Sequence, residues 1–337
     1  MSNLIMLLIS LAIILVGAVV FTNGLEWFGE KKHLSDGAVG SIFAAVGTAM
    51  PETLVPIVAI LFGSREAGHK IGVGAIIGAP FMLGTLAFFV SGLAVMLNRG
   101  KRGDYPIMRV DTAAMRRDME YFLALYGLAI GASFLGDHHA LKGLIAVALF
   151  LAYGSYVRKT IRCEDGAYHP VEESDLAPCY FAATSHDPPM AVIAFQVLSS
   201  LLLIVWGSYT FVEKVQTISQ QIGVSPFILA MIIAPIATEL PEKFNSVIWI
   251  NKGKDALAVG NVTGAMVFQS SVITALGILI TEWRLNPAAL LTVALTFATV
   301  GAAYGQIRWK GHLTPGTLLV GGVFYAIFLV LILVGGI

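Results

Sequence analysis

Apolar residues occur along this chain in long blocks separated by short polar breaks, without the period-two alternation of a membrane barrel. A helix needs about 20 mostly apolar residues to cross a hydrocarbon core of roughly 30 Å. Ten blocks reach that length, near 4–22, 37–62, 70–97, 119–136, 140–157, 190–211, 223–250, 255–280, 286–305 and 315–335. Helix is the expected state for each, since an open strand would leave its backbone unpaired in lipid. The pattern therefore predicts an all-α polytopic membrane protein with ten transmembrane helices. Met1, Ser2 and Asn3 lead straight into Leu4 with no positive segment, so the first block reads as a span and not a cleaved signal.

Composition agrees with the pattern. Of 337 residues, 57% are hydrophobic and 12% charged, with a mean hydropathy of +0.80, against roughly 25% charged in soluble proteins. No soluble core of this size hides so much apolar surface, which argues against a soluble enzyme, a nucleic-acid binder or a disordered scaffold. Net charge is zero, so no nucleic-acid partner is expected; the lipid bilayer is the expected surrounding.

The placement of charge orients the chain. Loops after odd-numbered spans hold fifteen basic residues, from Lys31 and Lys32 through Arg99–Arg117, Arg158–Arg162, Lys252 and Lys254 to Arg308 and Lys310. The other face holds Arg65, Lys70, Lys142, Lys214 and Arg284, and Lys243 falls inside a span. The positive-inside rule puts the crowded face in the cytoplasm and both termini outside. The expected location is a prokaryotic inner membrane.

The longest polar stretch, 158–188, divides the chain into residues 1–157, a cytoplasmic linker over 158–189, and residues 190–337. It carries Glu164, Asp165, Glu172, Glu173, Asp175 and Asp187, but no EF-hand spacing. Cys163, His169, Cys179 and His186 lack the spacing of a zinc site. A solvated hinge is the expected role.

The two halves share an internal repeat. Thr48, Pro51 and Glu52 align with Thr238, Pro241 and Glu242 at an offset of 190, and Val73-Gly74-Ala75-Ile76-Ile77-Gly78-Ala79 echoes Val259-Gly260-Asn261-Val262-Thr263-Gly264-Ala265 at 186. Five spans per half is odd, so equivalent helices enter the membrane from opposite sides. Two inverted five-helix repeats are the architecture of secondary transporters, with the substrate near the midplane.

Glu52, Glu239 and Glu242 fall within spans, where each carboxylate costs about 2.5–3.5 kcal/mol at a helix centre. Such groups need cations or protons as partners. Pro51 and Pro241 lack an N–H and clash with the carbonyl four residues earlier, freeing the carbonyls of Gly47 and Ala237. A freed carbonyl beside a carboxylate and the hydroxyl of Thr48 or Thr238 is a hard-oxygen cluster suited to calcium or sodium. The alternative is a simple kink with Thr48 and Thr238 bonded back to the helix. The glycines spaced by four allow close packing, bringing Asn261 and Gln269 toward the span-seven carboxylates as neutral ligands.

The T-x-x-P-E segments, the G-N-V-x-G segment starting at Gly260 and the two five-span halves resemble the cation/calcium exchanger superfamily of sodium/calcium and proton/calcium antiporters. The resemblance implies that Thr48, Glu52, Thr238 and Glu242 bind the transported ions. It also implies bound Ca2+ and Na+ or H+, with no other cofactor and no enzymatic activity. Some positions depart from the superfamily. Its G-T-S-x-P-E serine is Ala49 in one half and Glu239 in the other, and further polar positions are Ala79, Leu83, Ala265 and Gln269.

Glu239 and Lys243 are four apart, in the favourable order for a helical ion pair. Lys243 either stands in for a bound cation or shuttles a proton, or else snorkels and only neutralises Glu239. The expected function is antiport of calcium or a related cation against sodium or protons by alternating access, with inorganic cations as partners and the oligomeric state left open. The alternative is a proton-coupled exchanger of sodium, potassium or magnesium. No H-E-x-x-H supports an intramembrane metalloenzyme.

Overall fold

The computed structural model describes residues 2–32, 49–164, 177–185 and 187–334. Gly47 and Thr48 lie outside the described residues, as does most of the acidic linker. Every regular element described is helical: α1 (Ser2–Lys31), α2 (Met50–Phe62), α3 (Arg65–Met82), α4 (Phe88–Leu97), α5 (Thr112–Ala132), α6 (His139–Glu164), α7 (Met190–Ile222), α8 (Pro226–Asn251), α9 (Asp255–Phe268), α10 (Thr274–Ile280), α11 (Pro287–Lys310) and α12 (Pro315–Leu333). Five-residue π turns, Leu83–Ala87 and Gln269–Ile273, join α3 to α4 and α9 to α10. Among the described residues, seven helical segments are long and apolar enough to cross a membrane.

Helices begin and end on local signals. Asp111 caps α5 by accepting from the N–H groups of Ala113 and Ala114, both at 3.0 Å, and Pro287 and Pro315 open α11 and α12 where no N–H partner is required. Gly223 and Gly311, both with φ of 69°, close α7 and α11 in the left-handed region. Several helices outrun the apolar blocks. α1 continues to Lys31 and α7 to Ile222, and α6 takes the start of the predicted linker as far as Glu164.

The chain forms two compact units. The first comprises Met1–Gly72 and Gly166–Leu229, the second Val73–Asp165 and Ala230–Ile337. In the first unit, α1 and α7 pair along most of their length. A Cβ on Gly17 or Gly207 would meet Ile204 or Ile14 at 2.8 and 2.9 Å, so only glycine permits this approach. At one end of the pair, Gln196 donates to Val20 O and Asn23 Oδ1 and accepts from Cys179 Sγ and Phe181 N. Cys179 is a buried free thiol.

In the second unit, α12 lies against α4 and the first π turn, with Gly321 on the Thr85 carbonyl. Phe81 packs on Tyr325 and Phe328 at 5.4 and 4.8 Å. α5 packs on α6, α9 and α11, and its Phe122 and Tyr126 stack against each other and on Phe297. Gly78 of α3 sits directly on the Met231 backbone of α8, the close packing expected of the glycine motif. Its counterpart Gly264 meets nothing nearer than Tyr156 Oη at 3.9 Å, and Gly260 meets nothing within 4 Å.

Candidate functional site

One face of α8 is buried at helical spacing: Met231, Ala234, Thr238, Glu239, Lys243, Ser246 and Ile250. Its apolar ends hold the helix in the second unit, and its middle is polar. Glu239 is 2% exposed and Lys243 is 1% exposed, among the largest fully buried side chains. The snorkelling alternative for Lys243 is therefore set aside, because its ammonium stays inside the protein. Lys243 Nζ lies 3.7 Å from Glu239 Oε2, one helical turn away, and donates to Asn261 Oδ1 at 2.7 Å. Gln269 Nε2 donates to Glu239 Oε1. α9 and its π turn thus supply two amides to the charged pair on α8. Asn261 is exposed, whereas the ammonium beneath it is buried.

Gln269 opens the second π turn. Thr274 Oγ1 donates to its carbonyl at 2.6 Å, and Ser271 Oγ donates to Val267 O at 2.5 Å. The first π turn lies at the same offset of 186, with Thr85 at the position of Ser271 and bonded likewise to Phe81 O. Leu83 and Phe88 stand where Gln269 and Thr274 stand. The same backbone irregularity thus recurs in both halves, and only the second carries an amide at its start. Single π turns of this kind cluster at functional sites.

Thr238 Oγ1 donates to Ala234 O at 3.1 Å, within its own helix, and Ala237 is half-buried on α8. Glu242 belongs to α8, but its side chain lies outside the described residues. In the first unit, Glu52 occupies the first turn of α2, after Pro51, where the helix N-terminus favours negative charge. It is 9% exposed with both carboxylate oxygens buried. Thr53 Oγ1 donates to Ala49 O at 2.7 Å; Thr48 lies outside the described residues.

Two buried carboxylates in the second unit were missed by the sequence reading. Asp118 of α5 accepts from Tyr156 Oη at 3.0 Å and Thr263 Oγ1 at 2.7 Å, with Arg117 Nε at 3.6 Å. The signal was available, since Asp118 falls in the buried series Met115, Met119, Phe122, Tyr126. Asp255 opens α9, fully buried, and is gripped by both guanidinium nitrogens of Arg102 at 2.7 and 2.6 Å and by Arg109 N–H at 3.0 Å. The hydrogen bond to Asp255 raises the Arg102 guanidinium above its ordinary value. Among the described residues, no three His, Cys, Asp or Glu side chains cluster to hold a metal.

The sodium/calcium exchanger protein family matches residues 2–159 and 192–334. The chain belongs to that family. The two matched stretches each contain one T-x-x-P-E segment, and the unmatched residues between them, 160–191, take in most of the polar linker. Among its relatives, CaxA of Alkalimonas amylolytica is 24% identical over 328 residues, spanning 95% of this chain and 96% of that protein. Inner membrane protein YrbG of Escherichia coli strain K12 is 21% identical over 288 residues, spanning 84% and 83%. Of solved structures, the H+/Ca2+ exchanger CAX superposes with a TM-score of 0.72 at 15% identity, covering 98% of this chain and 82% of that one. The sodium-calcium exchanger NCX_Mj gives 0.53 at 18% identity, covering 97% of each. The fold is that of the membrane cation exchangers, and the protein is an integral membrane member of a family of cation antiporters.

Proposed function

We propose that the protein is a secondary antiporter that exchanges calcium, or a related cation, for sodium or protons by alternating access. Its ten membrane-crossing helices would form two inverted five-helix repeats, with both termini outside a prokaryotic inner membrane. Each repeat contributes the glutamate of its T-x-x-P-E segment, Glu52 or Glu242, as the principal cation ligand. Thr48 and Thr238, the carbonyls of Gly47 and Ala237, and the amides of Asn261 and Gln269 add neutral oxygens. The observation that carries this reading is the buried Glu239 on the repeat helix α8, bonded to Gln269 across from α9. A carboxylate and an amide at that depth cost free energy in a purely structural helix, and they are the oxygen types that hold alkali and alkaline-earth cations.

Fixed negative charge keeps the empty carrier from reorienting, because exposing it unneutralised to hydrocarbon costs too much. Occupancy by a cation lifts that block and couples the opposing fluxes. One observation favours the proton-coupled reading over the sodium-coupled one. The serine of the superfamily pattern is absent from both halves, so one half lacks that hydroxyl oxygen at Ala49 and the other has a titratable carboxylate, Glu239, in its place.

The test is calcium uptake into sodium-loaded proteoliposomes diluted into sodium-free buffer, with pH clamped on both sides, and then with a pH gradient in place of sodium. Glu52→Gln and Glu242→Gln are each expected to abolish uptake while the purified protein stays folded. Full flux in either variant would overturn the ligand assignment.

A further inference from the structure

The Glu239–Lys243 pair has no counterpart in the first half. At the offset of 190 that aligns the T-x-x-P-E segments, Glu239 falls on Ala49 and Lys243 on Thr53. An acid and a base have entered together, leaving the net charge contributed by the repeat glutamates as it was. Stability does not explain them. Taking two charges out of water costs several kcal/mol per ion, and a neutral pair of similar size is often as stable or more so.

The groups around the ammonium are those that hold a small cation. Glu239 Oε2 faces Lys243 Nζ at 3.7 Å and Asn261 Oδ1 accepts from it at 2.7 Å. Gln269, bound through its N–H to the same carboxylate, keeps its own carbonyl oxygen buried with no hydrogen-bond partner among the described residues. A carboxylate and an amide oxygen are hard ligands of the kind sodium and potassium take, and Gln269 holds the carboxylate from its other side. A lysine ammonium is a compact point charge of the same valence. The exposed Asn261 above it leaves the position one side chain away from the surface.

We propose that Lys243 is a tethered cation, its ammonium filling a monovalent-cation subsite formed by Glu239 and Asn261, with Gln269 holding the carboxylate in place, so that each cycle carries one monovalent cation fewer than the carboxylates alone would hold. This rests on the antiporter reading above. The role of Lys243 is to occupy the place, and removing it opens the place to a free ion.

The test uses the full-length protein, Lys243→Ala, and the neutral pair Glu239→Gln/Lys243→Met. In detergent, methylammonium chloride is expected to raise the unfolding midpoint of Lys243→Ala by about 3 °C or more over choline chloride at equal concentration. It should leave the wild type and the neutral pair unchanged. In pH-clamped liposomes, Lys243→Ala should move one more charge per divalent ion. Its divalent accumulation ratio would then gain about tenfold per ~59 mV of imposed potential.

Equal effects of methylammonium and choline on Lys243→Ala, or a wild-type slope in that variant, overturn the proposal. Should Lys243→Ala fail to fold, purification in methylammonium is expected to recover it, and failure to recover it also overturns the proposal. The detergent measurement needs no transport. A wild type without exchange, or exchange surviving in Glu52→Gln, would instead strike the antiporter reading itself.

Discussion

At the scale of the residue, buried charge in this protein is held by hydroxyls, amides and guanidinium groups. Asp118 accepts from Tyr156 and Thr263 at 3.0 and 2.7 Å, tying α5 to α6 and to α9 two residues from Asn261. Replacing Asp118 with alanine takes the carboxylate from the buried Tyr156 hydroxyl and leaves Thr263 Oγ1 with only the Gly260 carbonyl at 3.4 Å, and an unsatisfied buried polar group costs about 1–3 kcal/mol. Asp118→Ala is therefore expected to lower the unfolding midpoint in detergent clearly more than Thr263→Val, which removes one donor. Equal midpoints for wild type and Asp118→Ala would show that the network contributes nothing. The residue-level site was only partly legible. Spacing alone paired Glu239 with Lys243, because positions i and i+4 are neighbours on any helix. The glycine spacing pointed to Asn261 and Gln269 near the span-seven carboxylates, and Gln269 does reach Glu239; that Asn261 meets Lys243 instead depends on how α9 packs on α8, across eighteen residues of sequence.

At the scale of the element, hydropathy located the helices well and their ends poorly. It reads the thickness of the apolar core, so the block near 4–22 is matched by a helix reaching Lys31. Beyond the block, α1 continues because Asn23 finds Gln196 on its partner helix, at 2.9 Å. The π turns were not legible at all: Leu-Gly-Thr-Leu-Ala and Gln-Ser-Ser-Val-Ile share only a hydroxyl in the third position. The glycine motif was legible as packing, but its two copies are unequal. A methyl group on Gly78 would strike the Met231 backbone, which cannot yield as a flexible side chain would, whereas Gly264 has open space to 3.9 Å. Overpacking of this kind costs about 1–3 kcal/mol. Gly78→Ala is accordingly expected to reduce folded yield and unfolding midpoint, and Gly264→Ala to leave both near the wild type. Matching losses in the two variants, read by size-exclusion profile and thermal scan, would refute the asymmetry.

At the scale of the whole molecule, the arrangement of charge makes the topology testable without reference to transport. Fifteen basic residues on one set of loops against five on the other predict a cytoplasmic face that includes residues 99–117 and an outer face that includes the turn before α6. One of those five, Lys142, is buried and donates to the Glu282 carbonyl at 2.5 Å, which leaves the outer face poorer still in free positive charge. Gly103 has open space around it, and His138 is exposed, so a single cysteine at either is sterically harmless. In intact cells carrying the protein with Cys163 and Cys179 changed to serine, a membrane-impermeant maleimide is expected to label His138→Cys directly. Gly103→Cys should label only after permeabilisation. The expected five spans in each half would require this result, because span four would then return the chain to the face on which it began. Labelling of both positions from the same side would mean an even number of crossings between them, and inverted repeats could not then be built from these two halves.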